Sequence, residues 1–405
     1  MNLDVAGIRT RYPAFSDAAS SDGVVWLDAP AGTQMPQSVI DAISGAYEAG
    51  IGNLHGAFPA SARSDAIVAE ARQAVADLVG GAPDGVVFGP NMTTLTYRFA
   101  ATLAKTWGPG DEIVLSTLDH DANLRPWAQA AEAVGATVRY AEMEVPSGEL
   151  PAEQYRQLVG PRTRLVAVTA ASNILGTMPD LPRIAEITHA AGALLFVDGV
   201  HATPHMPVDM VALGADFWAI SAYKWNAPHV GAIVAAPALL AELEPDKLVP
   251  SPATGPERFE TGTLPLADLA GVRAAVDYLA GLDPRATGTR RERLLVSMAA
   301  VRAYEQGELA HLLAGFAALP AVRRIGAPAR STATVYFTVD GHTPQEVAEY
   351  LATRKINVWY GHSYCWEATA ALGIRDQGSA VRVGIYHYTS RSDTDRLLTA
   401  LAALS

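Results

Sequence analysis

The sequence predicts an α/β fold, with a large domain on a mainly parallel sheet followed by a smaller C-terminal α+β domain. Between residues 85 and 224, short apolar runs alternate with helical patterns, as parallel strands joined by crossover helices require. From about Gly281 the texture changes to a charged, Ala-rich helical stretch, then to strands and helices in mixed order. A chain of 405 residues, 49% hydrophobic with 34 Gly and 26 Pro, is large enough for a sizeable core and for two domains. An N-terminal segment over 1–20, a large domain over 21–280 and a small domain over 281–405 are expected.

The elements follow in order. Gly85–Gly89 (GVVFG) is a strand leading into a helix over Asn91–Trp107. Glu112–Ser116 (EIVLS) is a strand before the amphipathic Leu124–Val134. Ala136–Glu142 and Arg164–Thr169 are further strands. Leu181–Ala191 is a helix before the strand Ala193–Val197, which ends in Asp198. Phe217–Lys224 (FWAISAYK) is an apolar run that delivers Ser221, Tyr223 and Lys224. After the change in texture, Thr287–Leu319 has helical periodicity. Strand Thr334–Val339, helix Pro344–Arg354, strands Ile356–Tyr360 and Val381–Tyr386, and a helix near Asp393–Ala403 complete the chain.

Composition excludes several function classes. A net charge of −12 with no Lys/Arg run disfavours non-specific binding to nucleic acid or an anionic membrane. No apolar stretch reaches about 18 residues, so no membrane span is expected. The N-terminus, MNLDVAGIRTRYPAF, lacks the basic and apolar regions of a signal peptide. The single cysteine, Cys365, excludes an intrachain disulfide and fits a reducing cytoplasm. A dinucleotide-binding dehydrogenase would need a Gly-x-Gly-x-x-Gly turn after a strand, and the chain has none.

Ligands of open α/β sheets sit beyond the carboxyl ends of the strands, and the reactive groups fall there. Lys224 and Asp198 each close a strand. An amine to hold an aldehyde, and a carboxylate to keep a pyridine nitrogen protonated, are what pyridoxal phosphate needs. Pro90-Asn91-Met92-Thr93-Thr94 opens a helix, where N–H groups and a hydroxyl form a phosphate cradle; threonine capping is the simpler alternative. His120 could stack on a flat ring and take part in proton transfer, or be an ordinary loop histidine. Asn173 could bond a ring hydroxyl or a substrate carboxylate, or shape a turn. His201, about one helical turn after Asp198, is suited to bond a cofactor oxygen.

With these stretches the chain resembles fold-type I pyridoxal-phosphate enzymes of the class V aminotransferase group, and within it the cysteine-desulfurase-like branch. The resemblance runs from Trp26–Gly32 (WLDAPAG) to the last helix. It passes through Gly89–Thr94, Leu118–Trp127 (LDHDANLRPW), Ser172–Thr177 (SNILGT), Val197–His201 and Ser221–Lys224. It implies a seven-stranded-type sheet and pyridoxal 5'-phosphate as cofactor, with Lys224 as the Schiff-base lysine and Asp198 as the pyridinium partner. It further implies that His120 stacks on the ring and that His201 contacts the ring hydroxyl. Met92, Thr93 and Ser221 would cradle the phosphate, with Tyr223 in place of the histidine usual before the lysine. Asn173 and Arg382 would grip an amino-acid carboxylate, a task that suits a planar guanidinium. His55 would lie on the substrate side, although the Arg that commonly follows is missing. Thr263 would reach the phosphate of a neighbouring subunit, which implies a homodimer with shared sites.

One loop departs from the family. Desulfurases carry a nucleophilic thiol where this chain reads Gly361-His362-Ser363-Tyr364-Cys365-Trp366. In the gap-free register Tyr364 takes the nucleophile's place. Cys365 comes one residue late, so in an extended segment it faces the other way. Cys365 then reads as a small semi-buried apolar residue, with a displaced nucleophile as the alternative. The resemblance therefore implies a cytoplasmic enzyme acting on a small amino acid by C–S cleavage at Cβ. That cleavage would proceed through persulfide transfer to an acceptor protein or through β-elimination. Elimination is the more natural if Tyr364 has replaced the thiol. Transamination is one alternative and a non-catalytic, regulatory pyridoxal-phosphate protein another; a mere cofactor holder would need neither Arg382, Asn173 nor His120. No metal is expected. The aromatic stretch Trp359, Tyr360, Tyr364 and Trp366 should narrow the pocket or accept a ring-bearing substrate.

Overall fold

Strands form where the apolar runs predict them, with three additions. The structure, a computed structural model, describes residues 3–16 and 23–404; parts of the expected N-terminal segment, 1–2 and 17–20, lie outside the described residues. Val25–Trp26 (β1) comes first. The main sheet takes Val86–Gly89 (β2), Glu112–Ser116 (β3), Thr137–Ala141 (β4), Thr163–Thr169 (β5), Leu194–Asp198 (β6), Phe217–Ser221 (β7) and Gly231–Ala235 (β8). The last part adds Val322–Ile325 (β9), Thr334–Val339 (β10), Ile356–Asn357 (β11), Trp359–Tyr360 (β12) and Val381–Gly384 (β13). The main sheet runs β2-β8-β7-β6-β5-β3-β4. Strands β3 to β7 pair in parallel, whereas β8 runs antiparallel to both β2 and β7. The mainly parallel α/β architecture is therefore as expected.

Alternation along each strand feeds a core on either face of the sheet. Leu195 and Val197 of β6, with Trp218 and Ile220 of β7, pack into one core. Phe196, Phe217 and Ala219 pack into the other. Helices Gln37–Glu48, Pro59–Val79 and Leu266–Ala280 pack together on the first face. Met92–Leu103 and Arg125–Val134 supply residues to the second. Asn91 starts the former helix by accepting from the Thr94 N–H at 2.8 Å, an N-cap that satisfies a free donor of the first turn. That helix ends at Leu103 rather than Trp107, because Ala104–Thr106 tightens into a separate turn.

The last part of the chain forms an antiparallel sheet, β12-β13-β10-β9, while β1 pairs in parallel with β11. The expected strand Ile356–Tyr360 is thereby split: its first half pairs with β1 and its second with β13. β13 stops at Gly384 rather than Tyr386 because the N-terminal turn crosses there. A Cβ on Gly384 would lie 2.2 Å from Pro30. Helix Arg290–Ala317 joins the two parts. Leu294, Met298 and Val301 enter the core of the main sheet, and Leu309, Leu312 and Phe316 enter that of the smaller one. No helix of the described residues is long and apolar enough to cross a membrane.

Gly231 fixes the edge where reactive groups collect. A Cβ there would lie 2.2 Å from the Asn91 carbonyl carbon and 2.6 Å from the Met92 nitrogen, both backbone. Gly231→Ala should therefore destabilise the fold by about 1–3 kcal/mol, measured by urea denaturation. Gly108→Ala, where nothing lies within 4 Å, should change little.

Candidate active site

The carboxyl edge of the sheet brings most of the expected residues together. A cavity of about 490 Å³ is lined there by Met92, Thr93, His120, Asn173, Asp198, His201, Ser221, Tyr223 and Lys224, with Pro30 and His229. A second cavity of about 700 Å³ shares Thr93, His120, Asn173, Tyr223 and Lys224 with it, and adds Arg382, Tyr364 and the loop around His362. Each volume is in the range of small-molecule pockets. Among the described residues, no group of three or more His, Cys, Asp or Glu side chains is placed to hold a metal ion.

Lys224 lies at the centre. Its strand, β7, ends at Ser221, and Ala222–Lys224 make one tight turn. The ammonium donates to the Pro30 carbonyl. Burial, and then the Arg382 cation, lower its pKa to about 7, while Asp198 pulls the other way. Asp198, which ends β6, is raised to about 6 by burial, against the Val200 N–H and the Lys224 charge that stabilise the anion. Val200 donates to its Oδ1 at 2.9 Å. Two oppositely charged groups thus face one cavity with midpoints near neutrality.

His120 is held by a buried bracket. Asp119 accepts from the Ser116 hydroxyl and from Asn123 Nδ2, the latter at 2.8 Å. Trp127 Nε1 donates to Asn123 Oδ1 at 3.2 Å. The His120 Nδ1 accepts from the Ala122 N–H at 3.0 Å, so the ring proton sits on Nε2. Burial and the cations Lys224 and Arg382 lower its pKa to about 3; the imidazole is neutral. Met92 N–H donates to Ser221 Oγ at 3.1 Å, which ties the start of its helix to the end of β7. Tyr223 stacks on His229, with ring centroids 4.6 Å apart.

Asn173 and His201 have partners that the sequence could not indicate. Both ends of the Asn173 amide are engaged by the Gly361–Trp366 loop: Nδ2 donates to the Ser363 carbonyl at 3.0 Å, and Oδ1 accepts from the Cys365 thiol at 2.8 Å. Its own carbonyl accepts from Arg382 Nη1 at 3.1 Å. His201 Nε2 meets the hydroxyls of Thr332 and Thr334 at 3.1 and 3.0 Å, and burial lowers its pKa well below the usual range. Arg382, on β13, is buried, and its Nε has no hydrogen-bond partner among the described residues.

Tyr364 and Cys365 diverge. Tyr364 is exposed and stacks on His120, with centroids 5.3 Å apart. Cys365 is fully buried, and burial pushes its thiol pKa up. Two expected residues lie outside both cavities: Thr263 is exposed, and His55 is exposed beside Asp65 at 3.3 Å. Sequence reasoning missed His229, which precedes the unrecognised β8, and Tyr97 of the second cavity. Tyr97 stands four positions after Thr93 on the helix face that carries it, and helical spacing could have found it.

Comparisons with known proteins place the chain in a family. Residues 25–397 match the family profile described as aminotransferase class-V. The chain is 38% identical to an uncharacterized protein of Mycobacterium tuberculosis, MT3887, over all of both chains. It is 33% identical to a probable cysteine desulfurase of Mycolicibacterium paratuberculosis over its whole length, but spans only 58% of that relative. The crystal structure of the cysteine desulfurase CsdA from Escherichia coli superposes with a TM-score of 0.86 at 25% identity, covering 100% of this chain and 98% of that one. The chain belongs to the class-V aminotransferase family, in its cysteine-desulfurase-like branch.

The site makes a direct prediction. The Lys224 amine should titrate near pH 7, not near the ordinary value of about 10.4. Because Arg382 disfavours the ammonium, Arg382→Ala should move that midpoint upward. Pulsed acetylation across pH 5–10, read by mass spectrometry at Lys224, measures both.

Proposed function

We propose that the chain is a pyridoxal-phosphate enzyme that cleaves the Cβ–S bond of a cysteine-type amino acid by β-elimination. Its residues fit the cofactor. Met92, Thr93 and Ser221, at a helix start pressed against Gly231, would hold the phosphate. Asp198 would keep the ring nitrogen protonated, His120 would lie against the ring face, and His201 and Tyr223 would complete the wall. Bound pyridoxal phosphate supplies an aldehyde for the amino group and a ring that withdraws electrons from Cα.

The remaining chemistry falls to side chains. Arg382, whose Nε is free to donate, would pair the α-carboxylate and fix the Cα–H bond towards Lys224. Asn173 holds that guanidinium in place through its carbonyl. With its pKa near 7, Lys224 is substantially neutral at physiological pH, so Nζ can take the Cα proton and return it later. The Cα–H electron pair forms the Cα–Cβ double bond as the Cβ–S bond breaks, and the departing thiolate takes the proton back from Nζ; the released enamine tautomerises to an imine, which water hydrolyses to a 2-oxo acid and ammonium.

The observation that favours elimination is Cys365. It is the chain's one thiol, fully buried, hydrogen-bonded to Asn173 and held protonated. Elimination needs no enzyme thiol. Persulfide transfer, which the relatives' names suggest, would need Cys365 to leave that setting and an acceptor protein to receive the sulfur. The reading includes a cytoplasmic homodimer, in which Thr263, exposed on its own chain, would reach the phosphate site of a second copy.

Purified protein given cysteine should yield pyruvate, ammonia and sulfide in equal amounts. Cys365→Ala should retain this, and Lys224→Ala should lose about 10²–10⁴-fold in rate. Alanine and sulfide that vanish in Cys365→Ala would mean persulfide transfer instead. Conversion of the cofactor to its amine form without sulfide would mean transamination. No visible cofactor absorbance after reconstitution would overturn the cofactor assignment.

A further inference from the structure

The second cavity is larger than a cysteine side chain needs. It continues from Lys224 and Arg382, where an amino acid's Cα and carboxylate would sit, and encloses about 700 Å³. A thiol would place a single heavy atom there. Four rings line this space and remain largely uncovered: Tyr97 at 44% exposed, Trp359 at 51%, Tyr360 at 42% and Tyr364 at 67%. Large rings gathered around one hollow and uncovered within the single chain suit a ligand surface rather than a packed core.

The rings are held in place. Tyr364 stacks on His120, and its carbonyl accepts from the Asp121 N–H at 2.8 Å. His362 stands edge-on to Tyr364 at 5.9 Å and to Trp366 at 5.3 Å. Arg125 on this wall is ion-paired with Asp121 at 2.9 Å and with Glu367. Around that ion-paired set the wall offers ring faces to a substrate side chain.

We infer that the substrate carries a flat, uncharged aromatic group beyond Cβ, as in an S-aryl or S-benzyl cysteine, rather than the bare thiol of cysteine. This rests on the pyridoxal-phosphate reading above and enlarges its substrate. A well-placed ring pair contributes up to about tenfold in affinity.

The test uses the cofactor-loaded protein and two ligands without a leaving group at Cβ, phenylalanine and alanine, with Kd measured by calorimetry. Phenylalanine should bind about tenfold more tightly. That ratio should fall about fivefold or more in Trp359→Ala and in Tyr97→Ala. In turnover, S-benzylcysteine should exceed cysteine in kcat/KM. Equal binding of the two ligands, or a ratio unchanged in both variants, would overturn the inference. Missing cofactor absorbance would sink the functional reading instead, and the same Kd ratio on the cofactor-free protein would still decide the ring cavity.

Discussion

Burial of the Lys224 amine is the constraint on which the site depends. Taking an ammonium out of water is costly, and a second buried cation, Arg382, increases that cost. Asp198 offsets part of it from the end of the adjacent strand. The balance leaves the amine near neutrality, where a proton moves in either direction at little cost. Its three members come from separate places: the end of β6, the turn after β7 and, across the cleft, β13. The amine's proton affinity is therefore set by how the smaller sheet is seated on the larger one. Helix Arg290–Ala317, which shares its apolar face between both cores, maintains that seating.

The same dependence appears in the hydrogen bonds. Arg382 reaches the large-sheet side through the Asn173 carbonyl, and the Asn173 amide reaches back to Ser363 and Cys365. His201 is bonded to Thr332 and Thr334 beside β10. Removing one partner would leave a buried polar group unsatisfied, which costs about 1–3 kcal/mol. The cleft is thus laced by polar contacts that hold the reactive groups in register. Where such contacts cross a cleft, binding and seating of the two parts are linked.

The strand-end residues were legible in the sequence because each follows a local apolar run. Asp198, Ser221, Lys224, His120 and the helix start at Met92 all fall on the carboxyl edge that parallel alternation predicts. What local pattern cannot carry is long-range pairing. β8 is a five-residue apolar run, too short for periodicity to separate strand from helix. The split of Ile356–Tyr360 depends on β1, more than 300 residues earlier. Nothing near Asn173 in the chain indicates that its amide bonds Ser363 and Cys365, 190 and 192 residues away.

The loop that closes the cleft decides what chemistry the cavity mouth presents, through backbone conformation more than residue type. Ser363 and Tyr364 are left-handed, with φ of 48° and 60°. Neither is glycine, and each such residue costs about 1–2 kcal/mol. Hydrogen bonds offset the cost: Cys365 N–H to the His362 carbonyl at 2.8 Å, Tyr364 N–H to His362 Nδ1 at 3.0 Å, and Asp121 N–H to the Tyr364 carbonyl at 2.8 Å. Two consecutive left-handed residues turn the chain so that Tyr364 faces the cavity and Cys365 faces the core. Cys365 then stands at the N-cap position of the helix Trp366–Ala371, and its thiol bonds Asn173. An extended backbone would also alternate the two side chains, but it would not pin Tyr364 on His120 or make the thiol part of the packing around Arg382. In this conformation the ring is a wall of the cavity and the sulfur is part of its support.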